Sequence, residues 1–382
     1  MWAGWCSEVE CPSNKTVEEL CMELTRTQVE AILASIQDRY LGQDLITAKM
    51  VKELTVAGDQ VTLKLVQGYP AGAYKAELQA EITDKLKQAG VRVAQVQIDT
   101  VINAHAVQKS VKRHDGIKNI IAVASGKGGV GKSTTAVNVA LALLADGAKV
   151  GILDADIYGP SQPRMLGISG QPLSEDGRTL RPMQNHGLKA MSIGFLIEED
   201  TPMIWRGPMV TQALEQLLND TQWGDLDYLV VDLPPGTGDI QLTLSQKIPV
   251  SGAIIVTTPQ DIALLDARKG LKMFEKVEVP ILGVVENMSM HVCSNCGHVE
   301  HIFGSGGGES MAEQYKVTYL GGLPLDIQIR EQADSGNPTV VADPQGKIAA
   351  LYHEIARKAA ARLARQTKDY SAKFPTIKIQ NI

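Results

Sequence analysis

The stretch SGKGGVGKSTT, Ser125 to Thr135, limits what this chain can fold into more than any other. It carries the spacing G-x-x-x-x-G-K-[ST] from Gly126 to Ser133, which works where a strand runs into a helix. Glycines let backbone N–H groups converge on phosphate oxygens, and the helix N-terminus adds positive potential. There Lys132 neutralises the β- and γ-phosphates, and the Ser133 hydroxyl ligates Mg2+. The alternative is a glycine-rich turn without a ligand. The apolar strand before it and the helical run after it weigh against that.

The surroundings have the required alternation. From Ile117 onward come NIIAVAS, KVGILDAD, LKAMSIG, YLVVDLP, GAIIVTTP and PILGVVENM, most of them separated by helical patterns. Continuous apolar runs are what strands covered on both faces require. The expected fold is therefore α/β, a mainly parallel sheet with helices on both faces and right-handed crossovers. Asp154 and Asp156 in LDAD, and Asp232 in YLVVDLP, end strands. Ligands of such sheets bind beyond the carboxyl ends of the strands, so these acids are placed to hold a metal or its waters. A lone strand-end Asp is more often a turn-former or helix cap; three beside a phosphate loop read as functional.

Upstream the pattern differs. TVEELCMELTRTQVEAILASIQDRY has helical period, VTLKLVQ alternates as a half-buried strand, AYKAELQAEITDKLKQAG is helical and VRVAQVQID is a strand. The chain divides into a tail 1–16, a small α+β domain 17–104, a linker 105–116, the α/β domain 117–367 and a tail 368–382. IAALYHEIARKAAARLARQ is the closing helix, and the basic cluster KSVKRH reads as solvated linker. The net charge is −6, without a basic stripe or aromatic ladder, which speaks against nucleic acid. No run reaches membrane-spanning length and no signal peptide is apparent, so a cytoplasmic location is expected.

In such a compartment thiols stay reduced, and five cysteines read as metal-binding or redox groups before disulfides. HVCSNCGH offers Cys293 and Cys296, half of the four ligands that a tetrahedral metal or a 4Fe–4S cluster takes. Three readings stand: a cluster shared between chains, a one-chain zinc knuckle adding His298 and His301, and a redox-active pair. The redox pair normally opens a helix, and here loop signals surround the motif. The glycine run GSGGGE after it reads as flexible chain leading into a helix. Cys6 and Cys11 read as exposed tail thiols and Cys21 as an apolar helix-face residue.

A second lysine, Lys127, stands near the start of the phosphate loop. With LDAD, DLPPGTGD, VENMS and HVCSNCGH, the chain from about Gly116 to about Ala342 resembles the Mrp/ApbC-type iron–sulfur cluster carriers. These are deviant Walker A P-loop ATPases of the ParA/MinD class. The N-terminal unit more loosely resembles the small domain of iron–sulfur assembly factors. Many of those carry a Cys-Pro pair, whereas VQGYPAG has Tyr69 before Pro70, a departure that sets a thiol-based role in question. The resemblance implies that Gly126, Lys127, Gly128, Gly129, Val130, Gly131, Lys132, Ser133 and Thr134 bind ATP. Ser133 would hold Mg2+ with Asp154, Asp156 would orient the attacking water, and Asp232 would act through the metal's water shell. Asn287 is the implied adenine contact, with the backbone at Pro324 to Asp326 as second candidate. Lys127 would reach the partner's nucleotide across a homodimer, while DIYGPSQPRMLG and PPGTGD would be the two switches.

A two-fold axis duplicates every ligand, so two CSNC loops would complete a four-thiolate 4Fe–4S site. The expected function is an ATP-hydrolysing carrier that takes a cluster from a scaffold protein and delivers it to apo-proteins. Rivals are a ParA/MinD-like positioning switch acting on DNA or membrane, and a metabolic kinase. The switch lacks a terminal amphipathic anchor, and the kinase lacks a visible acceptor site.

Overall fold

The computed structural model describes residues 24–109, 111–197 and 207–369. Cys6, Cys11, Cys21, the tail 1–16 and nearly all of the tail 368–382 lie outside them. The N-terminal unit runs α1 (Arg26–Ala34), β1 (Gln37–Asp38), β2 (Gln43–Asp44), β3 (Val51–Ala57), β4 (Gln60–Gln67), α2 (Tyr74–Gln88) and β5 (Val93–Thr100). β4 pairs antiparallel with β3 and parallel with β5. On α2, Tyr74, Leu78, Ile82 and Leu86 recur every fourth residue, and this buried stripe packs on the sheet.

α1 begins at a capping box, Thr25 with Gln28, and stops at Ala34, short of the expected run through Tyr40. The cause is Asp38. Its carboxylate accepts from the backbone of Tyr40 and Leu41 and from the Tyr69 hydroxyl, at 2.8 and 2.7 Å to its two oxygens. Such an Asx turn competes with helix. Tyr69 therefore has a structural role where the resemblance placed a thiol; burial first, and Asp38 second, raise its phenol above the ordinary value.

The second unit runs β6 (Ile117–Ser125), α3 (Lys132–Ala145), β7 (Val150–Asp154), α4 (Gln162–Met165), β8 (Met183–Asn185), β9 (Leu188–Ser192) and α5 (Gly207–Asp220). It continues with β10 (Leu226–Asp232), α6 (Asp239–Lys247), β11 (Gly252–Thr257), α7 (Asp261–Lys276), β12 (Ile281–Val292) and β13 (Val299–Glu300). Last come α8 (Gly307–Tyr315), β14 (Tyr319–Pro324), α9 (Ile327–Asp334), α10 (Thr339–Ala342) and α11 (Lys347–Ala364). The strand order is β13-β12-β11-β6-β10-β7-β9-β8, with β14 beside β12. Every pair is parallel except β8 with β9 and β12 with β13. α3 and α11 pack together over one face, and α5 to α8 form the other layer. β10 and β11 leave β6 on opposite sides, so a crevice opens at the carboxyl end of β6.

The linker is strapped down rather than solvated. His105 pairs with Lys368, Gln108 Nε2 donates to Ser245 O at 2.7 Å, and Arg113 meets Asp369 at 3.0 Å. Ala106, Lys109, Lys112 and Asp115 are its exposed residues among those described. Between the units, the Tyr40 hydroxyl donates to Glu354 at 2.9 Å; within the second unit Arg357 of α11 forks onto Asp146 at the end of α3. Among the described residues no helix is long and apolar enough to cross a membrane.

Burial holds the His105 imidazole below its ordinary value, against the opposing bond to Asn119. The unfolded chain therefore binds this proton first as pH falls through about 6.5, and the group's effect is to lower stability on the acid side. A His105→Gln chain should gain urea midpoint relative to the native one between pH 7 and 5.5. A difference constant with pH would show that the imidazole titrates alike in both states.

Candidate functional site

β6 ends at Ser125, and the phosphate loop follows directly into α3. Gly131 is the N-cap with φ +81°, and a Cβ there would run into the Asn287 side chain, so only glycine fits. Lys132 is buried. Its Nζ lies 2.5 Å from Asp232 Oδ1, 3.2 Å from Ser133 Oγ and 3.8 Å from Asp156 Oδ2. Parallel registry explains the meeting, since Asp232 pairs with Val123 on β6 and with Asp154 on β7. The structure thus brings Lys132, Ser133, Asp156 and Asp232 to one crevice. Burial chiefly raises the Asp156 carboxyl, with Lys132 opposing.

Lys132 and Asp232 are a buried pair, the side chains 6% and 0% exposed. Removing one partner of such a pair leaves an uncompensated charge, at about 3–5 kcal/mol. Lys132→Ala should therefore lower unfolding stability by about that amount, and adding Asp232→Asn should restore most of it. A loss below about 1 kcal/mol in a urea titration would contradict the buried pair.

Asp154 is held from several sides by the chain itself. One oxygen accepts from Ser161 N, Gln162 N and Ser192 Oγ, the other from Asp156 N, all at 3.0–3.1 Å. It is fully buried, and burial first, then Asp232, push its carboxyl up to about 7. These bonds brace the loop 156–162 against β7 and β9.

Asn287 sits differently from an open base contact. Its Nδ2 donates to Val130 O at 2.9 Å, fastening β12 to the phosphate loop. A bulge in β12 between Glu286 and Met290, with Met288 at φ +56°, turns the side chain that way. Leu325 N donates to Met290 O, tying the second adenine candidate to the same strand. Lys127 is half-buried, and its side chain makes no ion pair among the described residues. The loop 234–239 is pinned by Gln241, which accepts from Gly238 N and donates to Pro234 O, each at 2.7 Å. Neither Gln241 nor Gln162 was visible in the sequence as a site residue, for a buried glutamine has no spacing signature.

The thiols lie elsewhere, on the knuckle between β12 and β13. Cys293 N donates to His298 O and Gly297 N to Cys293 O, both at 2.9 Å. Backbone N–H groups of Cys296, first, and Asn295 hold the Cys293 thiol below its ordinary value, favouring thiolate. Cys293 is half-buried and Cys296 exposed. His301 Nδ1 is engaged with Ser289 O at 2.8 Å. No group of three or more ligating side chains gathers among the described residues, so the one-chain zinc knuckle does not form. Val292, Val299 and Ile302 are exposed around the thiols. The glycine run after them leads into α8 as expected, and its last glycine is packed: Gly308 N donates to buried Glu286 at 2.5 Å, and a Cβ there would press on that side chain.

A family model described as NUBPL iron-transfer P-loop NTPase matches residues 116–360, and one described as iron–sulfur cluster assembly protein matches 26–98. The iron–sulfur cluster carrier protein of Escherichia coli K12 is 52% identical over 355 residues, 92% of this chain and 95% of its own. That of Pseudomonas fragi is 61% identical over 269 residues, 70% of this chain and 94% of its own. A nucleotide-binding protein from Archaeoglobus fulgidus, solved in complex with ADP, superposes with a TM-score of 0.53 at 37% identity. It covers 61% of this chain and 90% of that one.

Proposed function

This chain belongs to the iron-transfer P-loop NTPases, and from that premise we propose that it is an ATP-hydrolysing carrier of a 4Fe–4S cargo, acting in the cytoplasm as a homodimer. The observation that carries the reading is the bare pair of thiols. Cys293, its thiol held below the ordinary value, and Cys296 stand on one knuckle with no third ligand among the described residues. A two-fold axis through this face supplies the other pair, and the exposed Val292, Val299 and Ile302 give it an apolar rim to bury. The cargo comes from a scaffold protein and goes to apo-proteins.

The nucleotide site fits its proposed occupants. Glycine N–H groups and the α3 terminus receive phosphate, and Lys132 exchanges Asp232 for the β- and γ-phosphates. Ser133 and, through water, Asp232 are the groups that would hold Mg2+, which supplies charge neutralisation when bound. Asp156 orients the attacking water, and Asn287 or the backbone at 324–326 receives adenine. Lys127, without an ion pair among the described residues, reaches the partner's nucleotide. ATP modulates loading, transfer or client engagement through the loops 156–167 and 234–239. Anaerobic reconstitution with iron counted per chain, on material sized as monomer and dimer, tests the reading. Iron confined to the dimer is expected; a monomer carrying a complete cluster would overturn it.

A further inference from the structure

We propose that Gln162 is a positioning residue that ties the loop 156–162 to the cation site, so that loop, Ser133 and Asp232 hold one register. This role rests on the nucleotide reading above. Gln162 opens α4 and is 1% exposed. Its Nε2 donates to Asp232 Oδ2 at 2.9 Å and to Ser133 O at 3.1 Å, while its backbone N–H donates to Asp154 Oδ2 at 3.1 Å. A single residue therefore touches the strand-end acid of β10, the first turn of α3 and the brace of the loop.

The amide has one workable orientation. Both groups facing Nε2 are acceptors, and turning the amide over would set its oxygen against a carboxylate. Oε1 is then left buried with no partner. Buried polar atoms are nearly always paired, so an orphan beside a phosphate loop marks a place for a donor that arrives with the ligand. A water of a divalent cation's shell is the chemical class that fits, since Ser133 and Asp232 both border Gln162. Asp232 has two oxygens and two holders, Lys132 on Oδ1 and Gln162 on Oδ2. When Lys132 turns to phosphate, Gln162 keeps the carboxylate from following.

The test is ADP affinity measured with Mg2+ and with EDTA, for the native chain, Gln162→Leu and Gln162→Asn. Leucine matches the volume without the amide; asparagine keeps the amide one methylene short and guards against a folding defect. Both variants should keep EDTA affinity within about twofold and lose about tenfold of the gain that Mg2+ gives, the scale of one hydrogen bond to a charged group. Trypsin cleavage after exposed Arg164, suppressed by Mg2+ and ADP in the native chain, should persist in the variants. An equal Mg2+ gain in all three chains, with ADP bound normally, would overturn this role alone. No ADP binding by the native chain in either condition would overturn the nucleotide reading and this role with it.

Discussion

The Cys293→Ser, Cys296→Ser chain should leave anaerobic reconstitution with essentially no iron, against about four irons per pair of native chains. The expectation is this large because, among the described residues, these two thiols are joined by no third cysteine, histidine or carboxylate. A serine hydroxyl at the same place stays protonated and is a poor partner for iron. Changing one cysteine removes two of four ligands from a symmetric site, so each single variant should lose nearly as much. The knuckle lies on the surface, away from the sheet core, so ADP affinity of the double variant should match the native value within about twofold. Iron retained by the double variant would move the cargo site elsewhere.

The second large effect separates two lysines of one loop. Lys127→Ala should leave ADP affinity near native and lower ATP hydrolysis by about 10^3-fold, the scale of a charge supplied in trans to phosphoryl transfer. Lys132→Ala should lose nucleotide binding itself, because its ammonium is buried at the cradle. The split follows from their partners: Lys132 is locked among Asp232, Asp156 and Ser133, and Lys127 has no ion-pair partner among the described residues. Mixing Lys127→Ala chains with chains disabled at Lys132 supplies the check. Lys127 acting across the interface predicts partial recovery of hydrolysis in the mixture; a Lys127→Ala monomer hydrolysing at the native rate would contradict it.

Local signals carried much of the fold. Strands β6, β7, β10, β11 and β12 fall on the continuous apolar runs because burial on both faces leaves no room for polar residues. The phosphate loop and strand-end acids were legible for the same reason: their spacing is itself the mechanism. What escaped depends on partners far along the chain. α1 ends early because Asp38 finds Tyr69, and the linker is fixed by Ser245 and Asp369. β3 was missed because its alternation is weak, with Leu54 alone buried among its residues. Asp154 stands out by position, but the four donors it gathers from a loop and β9 carry no spacing signal. Gln162 and Gln241 show the general limit, since an amide acquires meaning only from what surrounds it.

One strand touches both ends of the chemistry. β12 leaves the sheet core, is stapled through Asn287 to Val130, and six residues later delivers Cys293, within roughly 20 Å at about 3.3 Å per residue. Fuel and freight thus share a single axle. If phosphate entry tilts the cradle, the backbone of β12 offers a path to the sulfurs that needs no relay of side chains. The kink at Met288 is then its universal joint, and stiffening or loosening that one residue should change the timing of release more than the strength of either grip.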